Sequence, residues 1–275
     1  MTLRYTLCNE VVGGLPFANQ CALAAGLGYE GLEVAPFTLD AEAPHLLPDS
    51  LRGMLRATAQ EEGVAITGLH WLLLAPKGLS ITSGETAVRA RTLDFMQRLI
   101  ALCADLGGRY LVHGSPYQRA VEADGDAARA EEAMALAGAW AADAGVTYCL
   151  EPLAGEQTNW ATTIAEAAAI TSRIGNPHLR TMIDTCAAGL GESDSAAALI
   201  EHWMPRGVLA HVHLNDRNRR APGQGEDRFG PILRALRATG YEGLCGLEPF
   251  EYVPDGPTSA ARTIGYLRGI EEALG

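Results

Sequence analysis

The stretch GYEGLCGLEP, at Gly240–Pro249, contains in order a glycine suited to end a helix, a turn, a short apolar strand and an acidic residue. A near-repeat of its first half, GYEGL, stands at Gly28–Leu32 before another apolar run. We interpret both stretches as the point where a helix ends and a strand begins. The shared turn is a common solution for such a loop and carries no functional meaning by itself.

The same order of helix, turn and strand recurs along the whole chain. Helices are predicted where apolar residues recur about every 3.6 positions among Ala, Leu, Arg and Glu, as in Glu85–Leu106, Ala127–Ala144 and Thr162–Ile174. Glycines typical of helix ends are Gly28, Gly63, Gly107, Gly145, Gly175 and Gly240. The short apolar runs are Arg4–Cys8, Gly31–Pro36, Ile66–Leu73, Tyr110–Gly114, Thr147–Leu153, Arg180–Thr185, Leu209–Asn215 and Gly243–Phe250.

Eight strand–helix units in 275 residues predict one α/β domain over residues 1–275, a single (β/α)8 TIM barrel. Such barrels have about 250 residues. An open doubly wound sheet is the alternative for an alternating chain. The sequence lacks the glycine-rich dinucleotide fingerprint typical of that fold, which favours the barrel.

The amino-acid composition excludes several classes of protein. The chain is 48% hydrophobic, too apolar for a disordered protein. No apolar run reaches the roughly 18 residues of a membrane span, and Met1–Leu7 lacks the apolar core of a secretory signal. The six cysteines form no C-x-x-C pair, which indicates reduced thiols. We expect a cytoplasmic protein without a membrane partner.

The formal net charge of −12 opposes nucleic acid binding. Binding to a phosphate backbone normally depends on clustered Lys and Arg side chains that release counterions. We therefore expect a small-molecule substrate and no nucleic acid partner.

Acidic and imidazole side chains recur at the ends of the predicted strands. In TIM barrels the carboxyl ends of the strands form the active site, so these side chains should converge at one rim. Buried carboxylates need a partner, and a divalent cation is the simplest one that they can share. The residues in question are Glu33, His70, His113, Glu151, Asp184, His211, His213 and Glu248.

A metal site of Glu151, Asp184, Glu248 and one of the two histidines of the seventh strand is the sharpest hypothesis. Carboxylate and imidazole donors favour one Mn²⁺, Mg²⁺ or Co²⁺ ion over a thiolate-type zinc site, although Zn²⁺ is compatible. The alternative is that each residue separately caps a helix or forms a salt bridge. His211 and His213 share one face of a strand, and only the later one needs to reach the mouth. His211 then fits a buried, hydrogen-bonded role.

Five motifs carry a resemblance to a known family. They are Glu151–Leu153 (EPL), Met182–Thr185 (MIDT), His211–His213 (HVH), Asn218–Gly225 (NRRAPGQG) and Glu248–Phe250 (EPF). At these residues the sequence resembles the xylose isomerase-like barrel superfamily, and within it the D-tagatose and D-psicose (allulose) 3-epimerase group. The separations of 33 residues from Glu151 to Asp184 and of 35 from His213 to Glu248 look like those of that family.

The resemblance implies roles for particular residues. It selects His213 as the metal ligand and makes Arg219 a binder of substrate hydroxyls, although an arginine here could also brace its own loop. This chain departs from the epimerase pattern at two substrate-contacting positions. Gln157 stands where the family has a glutamate, and Ala187 where it has a histidine. The identity of the sugar therefore stays open.

Further residues are expected around the substrate. His70 and Trp71 are predicted to line the sugar pocket, where an aromatic ring offers an apolar face. His113 is predicted either to line the same pocket or to be a packed core residue. Gln157 is expected to contact substrate, and Glu33 either to bond to substrate or to pair with an arginine.

The constellation predicts chemistry next to a carbonyl. Removing a proton there generates a cis-enediolate, whose charge a bound divalent cation can neutralise. By the resemblance, Glu151 and Glu248 are opposed acid/base groups as well as metal ligands, one removing the proton and the other returning it. Return to the same carbon gives a ketose epimerase, whereas return to the neighbouring carbon gives an aldose–ketose isomerase.

Three alternatives share parts of this pattern. A lyase or dehydratase of the 3-oxo sugar or 3-dehydroshikimate type would use the same proton abstraction and then eliminate a group. An AP endonuclease-like hydrolase would use His70 and His113 as additional zinc ligands, which the negative charge opposes. A barrel that only binds a sugar or a partner has no need for mutually positioned acids. The resemblance also implies a homo-oligomer, either a dimer or a tetramer.

Overall fold

The structure, a computed structural model, describes residues 2–275, so the first residue of the predicted domain lies outside it. Eight parallel strands pair in chain order, and β8 pairs with β1 to close the barrel. The predicted (β/α)8 TIM barrel is confirmed. The strands are β1 Arg4–Cys8, β2 Gly31–Val34, β3 Ala65–Leu69, β4 Tyr110–His113, β5 Thr147–Leu150, β6 Leu179–Asp184, β7 Leu209–His213 and β8 Leu244–Leu247.

Helices connect consecutive strands, the β6–β7 connection holds two of them, and the last helix follows β8. They are α1 Phe17–Leu27, α2 Asp49–Glu61, α3 Thr86–Asp105, α4 Asp126–Ala144, α5 Ile164–Ile174, α6 Thr185–Gly191, α7 Ala196–Trp203, α8 Phe229–Ala238 and α9 Gly256–Leu274. Single turns of 3-10 helix follow β1, at Asn9–Val12, and β4, at Tyr117–Arg119. No helix of this described part of the chain combines the length and apolar composition needed to cross a membrane.

Seven of the eight strands end earlier than the apolar runs predict, and only β1 ends where expected, at Cys8. The third strand, expected over Ile66–Leu73, ends at Leu69 because the chain turns at Trp71, whose φ of +51° is incompatible with an extended strand. His70, Glu151 and Glu248 therefore each stand in the first position after a strand. The consequence is that these polar side chains lie at the mouth of the barrel.

Helix predictions are accurate to within two residues for the three helices quoted above. All six predicted helix-end glycines have positive φ, between +69° and +87°, a region that disfavours other residues. The core fills the barrel and the layer between strands and helices, and the six cysteines are all buried in it.

Candidate metal centre

Four side chains from consecutive strands meet at the mouth of the barrel. Glu151 follows β5, Asp184 ends β6, His213 ends β7 and Glu248 follows β8. Each offers one ligand atom, and the four atoms lie within 4.8 Å of one another. All four residues are buried. The structure thus brings together the full ligand set expected from the sequence.

Backbone and amide groups fix Asp184 and Glu248 in place. Oδ1 of Asp184 accepts a hydrogen bond from the backbone N–H of Ala187 at 2.7 Å, which caps the start of α6. The amide of Asn215 donates to Oδ2 of Asp184, while its Oδ1 accepts from the backbone N–H of Glu248 at 3.2 Å. One asparagine therefore ties two candidate ligands together.

Gly114 and Arg119, both from the connection after β4, surround Glu151. A Cβ atom at Gly114 would lie 1.8 Å from Oε2 of Glu151, so this carboxylate occupies space that only glycine leaves free. Arg119 is wholly buried and donates from Nη1 to the carbonyl oxygen of Glu151 at 2.7 Å. Arg119 thus holds the main chain of Glu151, a candidate metal ligand, in place.

Glu33 lies behind the centre and orients His213. Nε2 of His213 is 2.9 Å from Oε1 of Glu33, and Nδ1 is 2.9 Å from Oε2 of Glu248. A hydrogen on Nε2 shared with Glu33 leaves the Nδ1 lone pair directed at the cluster. Glu33 also bonds to Nε2 of His211 at 3.0 Å and to the hydroxyl of Tyr110 at 2.8 Å.

Glu33 thus pairs with two histidines and a tyrosine and not with an arginine, which was one of the two roles expected of it. Its carboxylate is completely buried and enclosed by His211, His213 and Tyr110. His211, which stacks on Tyr110 with ring centroids 3.9 Å apart, has the buried, hydrogen-bonded role expected of it. These contacts span up to 180 positions along the chain, beyond the reach of any local sequence pattern.

The negative charge of the buried carboxylates in this cluster favours a bound cation. Burial, with the nearby charges of Glu248 and Asp184, raises the pKa of Glu151 well above its usual value. Burial and Glu248 likewise raise the pKa of Asp184 to about 6. Burial also raises the pKa of Glu33, but His213 and His211 outweigh it, so that this pKa lies well below its usual value. Three carboxylates and one imidazole nitrogen, crowded and buried, are the donor set that a hard or borderline divalent cation prefers.

His70 packs beside this centre with a partner that the sequence did not reveal. Nε2 of His70 is 2.8 Å from Oε2 of Glu10, in the turn after β1, and 3.9 Å from Oε1 of Glu248. Burial lowers the pKa of His70, but Glu10, Glu33 and Glu248 outweigh it and raise the pKa to about 9. Glu10 carried no signal in the sequence because it stands in a short turn with no periodic pattern.

His113 is set apart from the cluster. Its Nδ1 is 2.7 Å from the hydroxyl of Tyr148, and the ring is completely buried. Burial, with the charge of Arg119, lowers the pKa of His113 to about 3. Among residues 2–275, none of the groups placed to hold a metal includes His113. This arrangement removes it from the additional zinc ligands considered above.

Phe250 contacts both Trp71 and Arg219 at the rim. The rings of Trp71 and Phe250 pack edge to face with centroids 5.9 Å apart. The carbonyl oxygen of Arg219 accepts hydrogen bonds from the backbone N–H groups of Phe250 and Glu251, both at 2.9 Å. Arg219 is exposed and has a φ of +66°, a strained conformation for a non-glycine residue. The loop after β7 is thereby attached to the loop after β8.

Gln157 lies in the loop after β5, where its N–H donates to the carbonyl oxygen of Ala154 at 2.8 Å. Several of the predicted substrate residues share one property, a buried polar atom without a hydrogen-bond partner. Such atoms are uncommon and call for an explanation, which a bound polar ligand would supply. They are Nδ1 of His70, Nε1 of Trp71, Nε2 of His113 and Oε1 of Gln157.

Known proteins resemble this chain in sequence. A D-psicose 3-epimerase from Agrobacterium fabrum is 29% identical over 233 residues, which cover 82% of this chain and 76% of that protein. A 3-dehydro-D-guloside 4-epimerase from Escherichia coli strain K12 is 27% identical over 190 residues, covering 66% of this chain and 71% of that protein.

The fold has close counterparts as well. The crystal structure of a D-psicose 3-epimerase in the presence of D-fructose matches with a TM-score of 0.82 at 23% identity, covering 98% of this chain and 99% of that one. The family model described as Xylose isomerase-like TIM barrel matches residues 21–270. The chain belongs to the xylose isomerase-like TIM barrel family.

Proposed function

We propose that this protein is a divalent-metal-dependent epimerase of a ketose or a keto-sugar derivative. The observation that carries the proposal is the convergence of Glu151, Asp184, His213 and Glu248 within 4.8 Å at the mouth of the barrel. Relatives with sugar epimerase names support the same class of reaction. A small sugar is the expected substrate, and a net charge of −12 disfavours nucleic acid.

The four residues are proposed to hold one divalent cation, with Mn²⁺, Mg²⁺ or Co²⁺ favoured by the donor set and Zn²⁺ compatible with it. When bound, such a cation stabilises the negative charge that develops on substrate oxygens as a proton leaves the neighbouring carbon. Glu33 contributes by holding the imidazole of His213 in one orientation.

Glu151 and Glu248 are the proposed acid/base pair. The four ligands come from the consecutive strands β5 to β8. Glu151 follows the first of these strands and Glu248 follows the last, so Asp184 and His213 lie between them. A carboxylate at each end of this series of strands can address opposite faces of a planar intermediate. One oxygen takes the proton from the substrate carbon and the other carboxyl returns one, which inverts the stereocentre.

The remaining predicted residues are proposed to hold the sugar. Trp71 offers an apolar ring at the rim, while the unpartnered atoms of His70, His113 and Gln157 supply hydrogen-bonding capacity. Arg219, exposed on its strained loop, would reach substrate hydroxyls. Gln157, neutral where the epimerase pattern has an acid, is proposed to alter which sugar fits.

A substrate panel tests the proposal. Free ketoses, ketose phosphates and 3-oxo sugars are incubated with the Mn²⁺-loaded protein in D₂O, and products are identified by NMR and mass. Epimerisation predicts a product of unchanged atomic composition, apart from deuterium gained at the carbon next to the carbonyl. An aldose product would reassign the enzyme as an isomerase, and a lighter product as a lyase.

Two matched variants distinguish turnover by this protein from turnover by a contaminating enzyme. Glu248→Gln is expected to abolish turnover because it removes an acid/base oxygen. Glu30→Gln makes the same acid-to-amide change at an exposed surface pair with Arg4 and is expected to leave turnover unchanged. Equal activity in both variants would contradict the proposed role of Glu248.

A further inference from the structure

Arg119 is a buried cation whose hydrogen bonds reach no acid. Its side chain is completely buried, and Nη1 donates to a neutral group, the carbonyl oxygen of Glu151 at 2.7 Å. Nε and Nη2 have no hydrogen-bond partner among residues 2–275. An arginine stays protonated in a protein and is almost never fully buried unless it is paired, because an uncompensated buried charge is costly. The guanidinium therefore requires a negative charge from outside these residues.

Glu151 is the acid beside Arg119, but its carboxylate belongs to the candidate metal centre. One of its oxygens lies within 4.8 Å of the ligand atoms of Asp184, His213 and Glu248. Neither of its carboxylate oxygens accepts a hydrogen bond from Arg119. If Glu151 binds the divalent cation, Arg119 needs a different anion.

Unpartnered polar atoms are concentrated around Arg119. In the part of the chain that the structure describes, twelve buried side-chain nitrogen or oxygen atoms lack a hydrogen-bond partner. Six of them belong to residues at the end of β4 and in the loops after β4 and β5, namely His113, Gln118, Arg119, Gln157 and Thr158. Buried polar atoms without partners are uncommon in proteins. Six of them in one region indicate a missing polar ligand.

The two loops that carry these atoms are attached to each other. The side-chain amide of Asn159 donates to the carbonyl oxygen of Val121 at 2.7 Å, and its oxygen accepts from the N–H of Val121 at 2.9 Å. Arg119 and Gln157 each stand two residues before a member of this pair. Burial, together with the charge of Arg119, lowers the pKa of His113, so the guanidinium also lies close to the end of β4.

The free atoms of Arg119 form a donor pair of a particular shape. Nε–H and one N–H of Nη2 point the same way along one edge of the guanidinium, and this edge fits two oxygens of a carboxylate or a phosphate. The buried hydroxyl of Thr158 adds a further donor. Gln157 carries no charge, and its amide can turn either its N–H groups or its oxygen towards a ligand. It therefore assists binding of an anion without neutralising Arg119.

Arg219 is the other arginine expected to contact substrate, and it is a weaker candidate for binding an anion. Its side chain is exposed, so water competes for its charge, whereas the guanidinium of Arg119 is shielded from solvent. Electrostatic attraction is stronger where water is excluded. Arg119 is also joined directly to the candidate metal centre through the carbonyl oxygen of Glu151.

We propose that Arg119, Gln157 and Thr158 form a subsite for an oxyanion, either a carboxylate or a phosphate, carried by the substrate. The substrate is then an acidic keto-sugar, whose reacting carbon lies at the metal centre while its anionic end reaches the guanidinium. The inference rests on the proposed function in so far as Glu151 is engaged by the divalent cation. Entry requires movement of the loop after β5, which contains no helix or strand between Leu150 and Ile164.

Isothermal titration of the Mn²⁺-loaded full-length chain tests the subsite by binding alone. The probes are D-fructose, D-fructose 6-phosphate and D-fructuronate, which share one carbon skeleton and differ at C6. We expect at least one of the two acids to bind about tenfold or more tighter than D-fructose, the usual effect of charge-assisted hydrogen bonds. Whichever acid binds more tightly shows whether the subsite prefers a phosphate or a carboxylate.

Gln157→Glu is the principal variant, because it places a carboxylate near Arg119 and leaves the bond from Arg119 to Glu151 in place. We expect the ratio of acid affinity to D-fructose affinity to fall to about one, through neutralisation of the guanidinium. Arg119→Met should lower this ratio in the same way. Gln97→Glu, the same amide-to-acid change at an exposed position of α3, is the control and should keep the wild-type ratio.

Equal affinity of the wild-type chain for the three probes, or no measurable binding of either acid, would overturn the subsite. A preference retained in both Gln157→Glu and Arg119→Met would place the anion elsewhere and overturn it too. Proton exchange in D₂O separates these results from the proposed function. Exchange of a ketose without a preference for acids contradicts the subsite alone, whereas a preference that depends on Arg119, without exchange of any probe, contradicts the epimerase alone.

Discussion

Nε2 of His213 lies 2.9 Å from Oε1 of Glu33, two buried residues that are 180 positions apart in the sequence. This contact turns Nδ1 of His213 towards Asp184, Glu151 and Glu248. The same carboxylate also accepts from His211 and Tyr110. Glu33 is therefore the residue on which the orientation of the histidine ligand depends.

Glu33→Gln is expected to weaken Mn²⁺ binding by about 10- to 100-fold, the usual effect of losing a carboxylate behind a histidine ligand. The amide nitrogen of Gln cannot accept the hydrogen bonds that an oxygen of Glu33 accepts. Isothermal titration with Mn²⁺ measures the effect, with circular dichroism to check the fold. Glu30→Gln serves as the control, and equal affinity in the two variants would refute the orienting role of Glu33.

Gly114→Ala is expected to disturb the centre without touching any ligand directly. The added Cβ would lie 1.8 Å from Oε2 of Glu151, so the carboxylate must move and Mn²⁺ affinity should fall by about tenfold or more. Gly53→Ala, in α2 with no atom within 4 Å of the new Cβ, makes the matched change elsewhere. If Gly114→Ala binds Mn²⁺ as tightly as Gly53→Ala, Glu151 does not hold the ion.

Metal affinity is expected to rise with pH. In the metal-free protein the pKa of Asp184 is raised to about 6 and that of Glu151 also lies above its usual value, because both are buried near other carboxylates. Below about pH 6 a cation must displace the proton of Asp184, and the raised pKa of Glu151 adds a second proton whose displacement weakens binding in the same direction, by up to about tenfold per pH unit for each proton. Titrations in buffers of different ionisation enthalpy measure the released protons. Affinity independent of pH, with no proton release, would contradict the assignment.

Phe250→Ala is expected to affect substrate binding more than chemistry. Its ring packs edge to face against Trp71 at 5.9 Å, and aromatic pairs of this kind contribute about 0.5–1.5 kcal/mol. We expect KM to rise by about two- to tenfold with kcat little changed. Steady-state kinetics on the best substrate of the panel decide the matter, with Phe250→Leu as the apolar control. A fall in kcat at unchanged KM would show that these rings do not form the substrate pocket.

The sequence predicts much of this architecture because the determining signals are local. Helix-end glycines such as Gly145 and Gly240, and the short apolar runs between helices, specify the barrel from neighbouring residues alone. The four candidate ligands are also predictable, since each stands at the end of an apolar run. The side-chain network behind them depends on contacts between distant strands, which no local pattern reports.

Glu33, Glu10 and Arg119 illustrate that limit. Glu33 had the expected position at the end of β2, but its partners come from β4 and β7. Glu10 and Arg119 each stand in a short 3-10 turn after a strand, and an arginine in such a turn is ordinarily expected to be exposed. Asn215 followed His211 and His213 in alternation, so its inward position was predictable, although its bonds to Asp184 and Glu248 were not.

Metal-dependent epimerisation is tested most sharply by solvent deuterium incorporation into a ketose, measured with the metal-stripped and the Mn²⁺-restored protein. We predict that stripped protein leaves the proton next to the carbonyl in place. Restored protein should exchange that proton for deuterium and form the epimer, and Glu248→Gln should do neither. Exchange at the same rate in stripped and restored protein would contradict a metal-dependent epimerase built on Glu151, Asp184, His213 and Glu248.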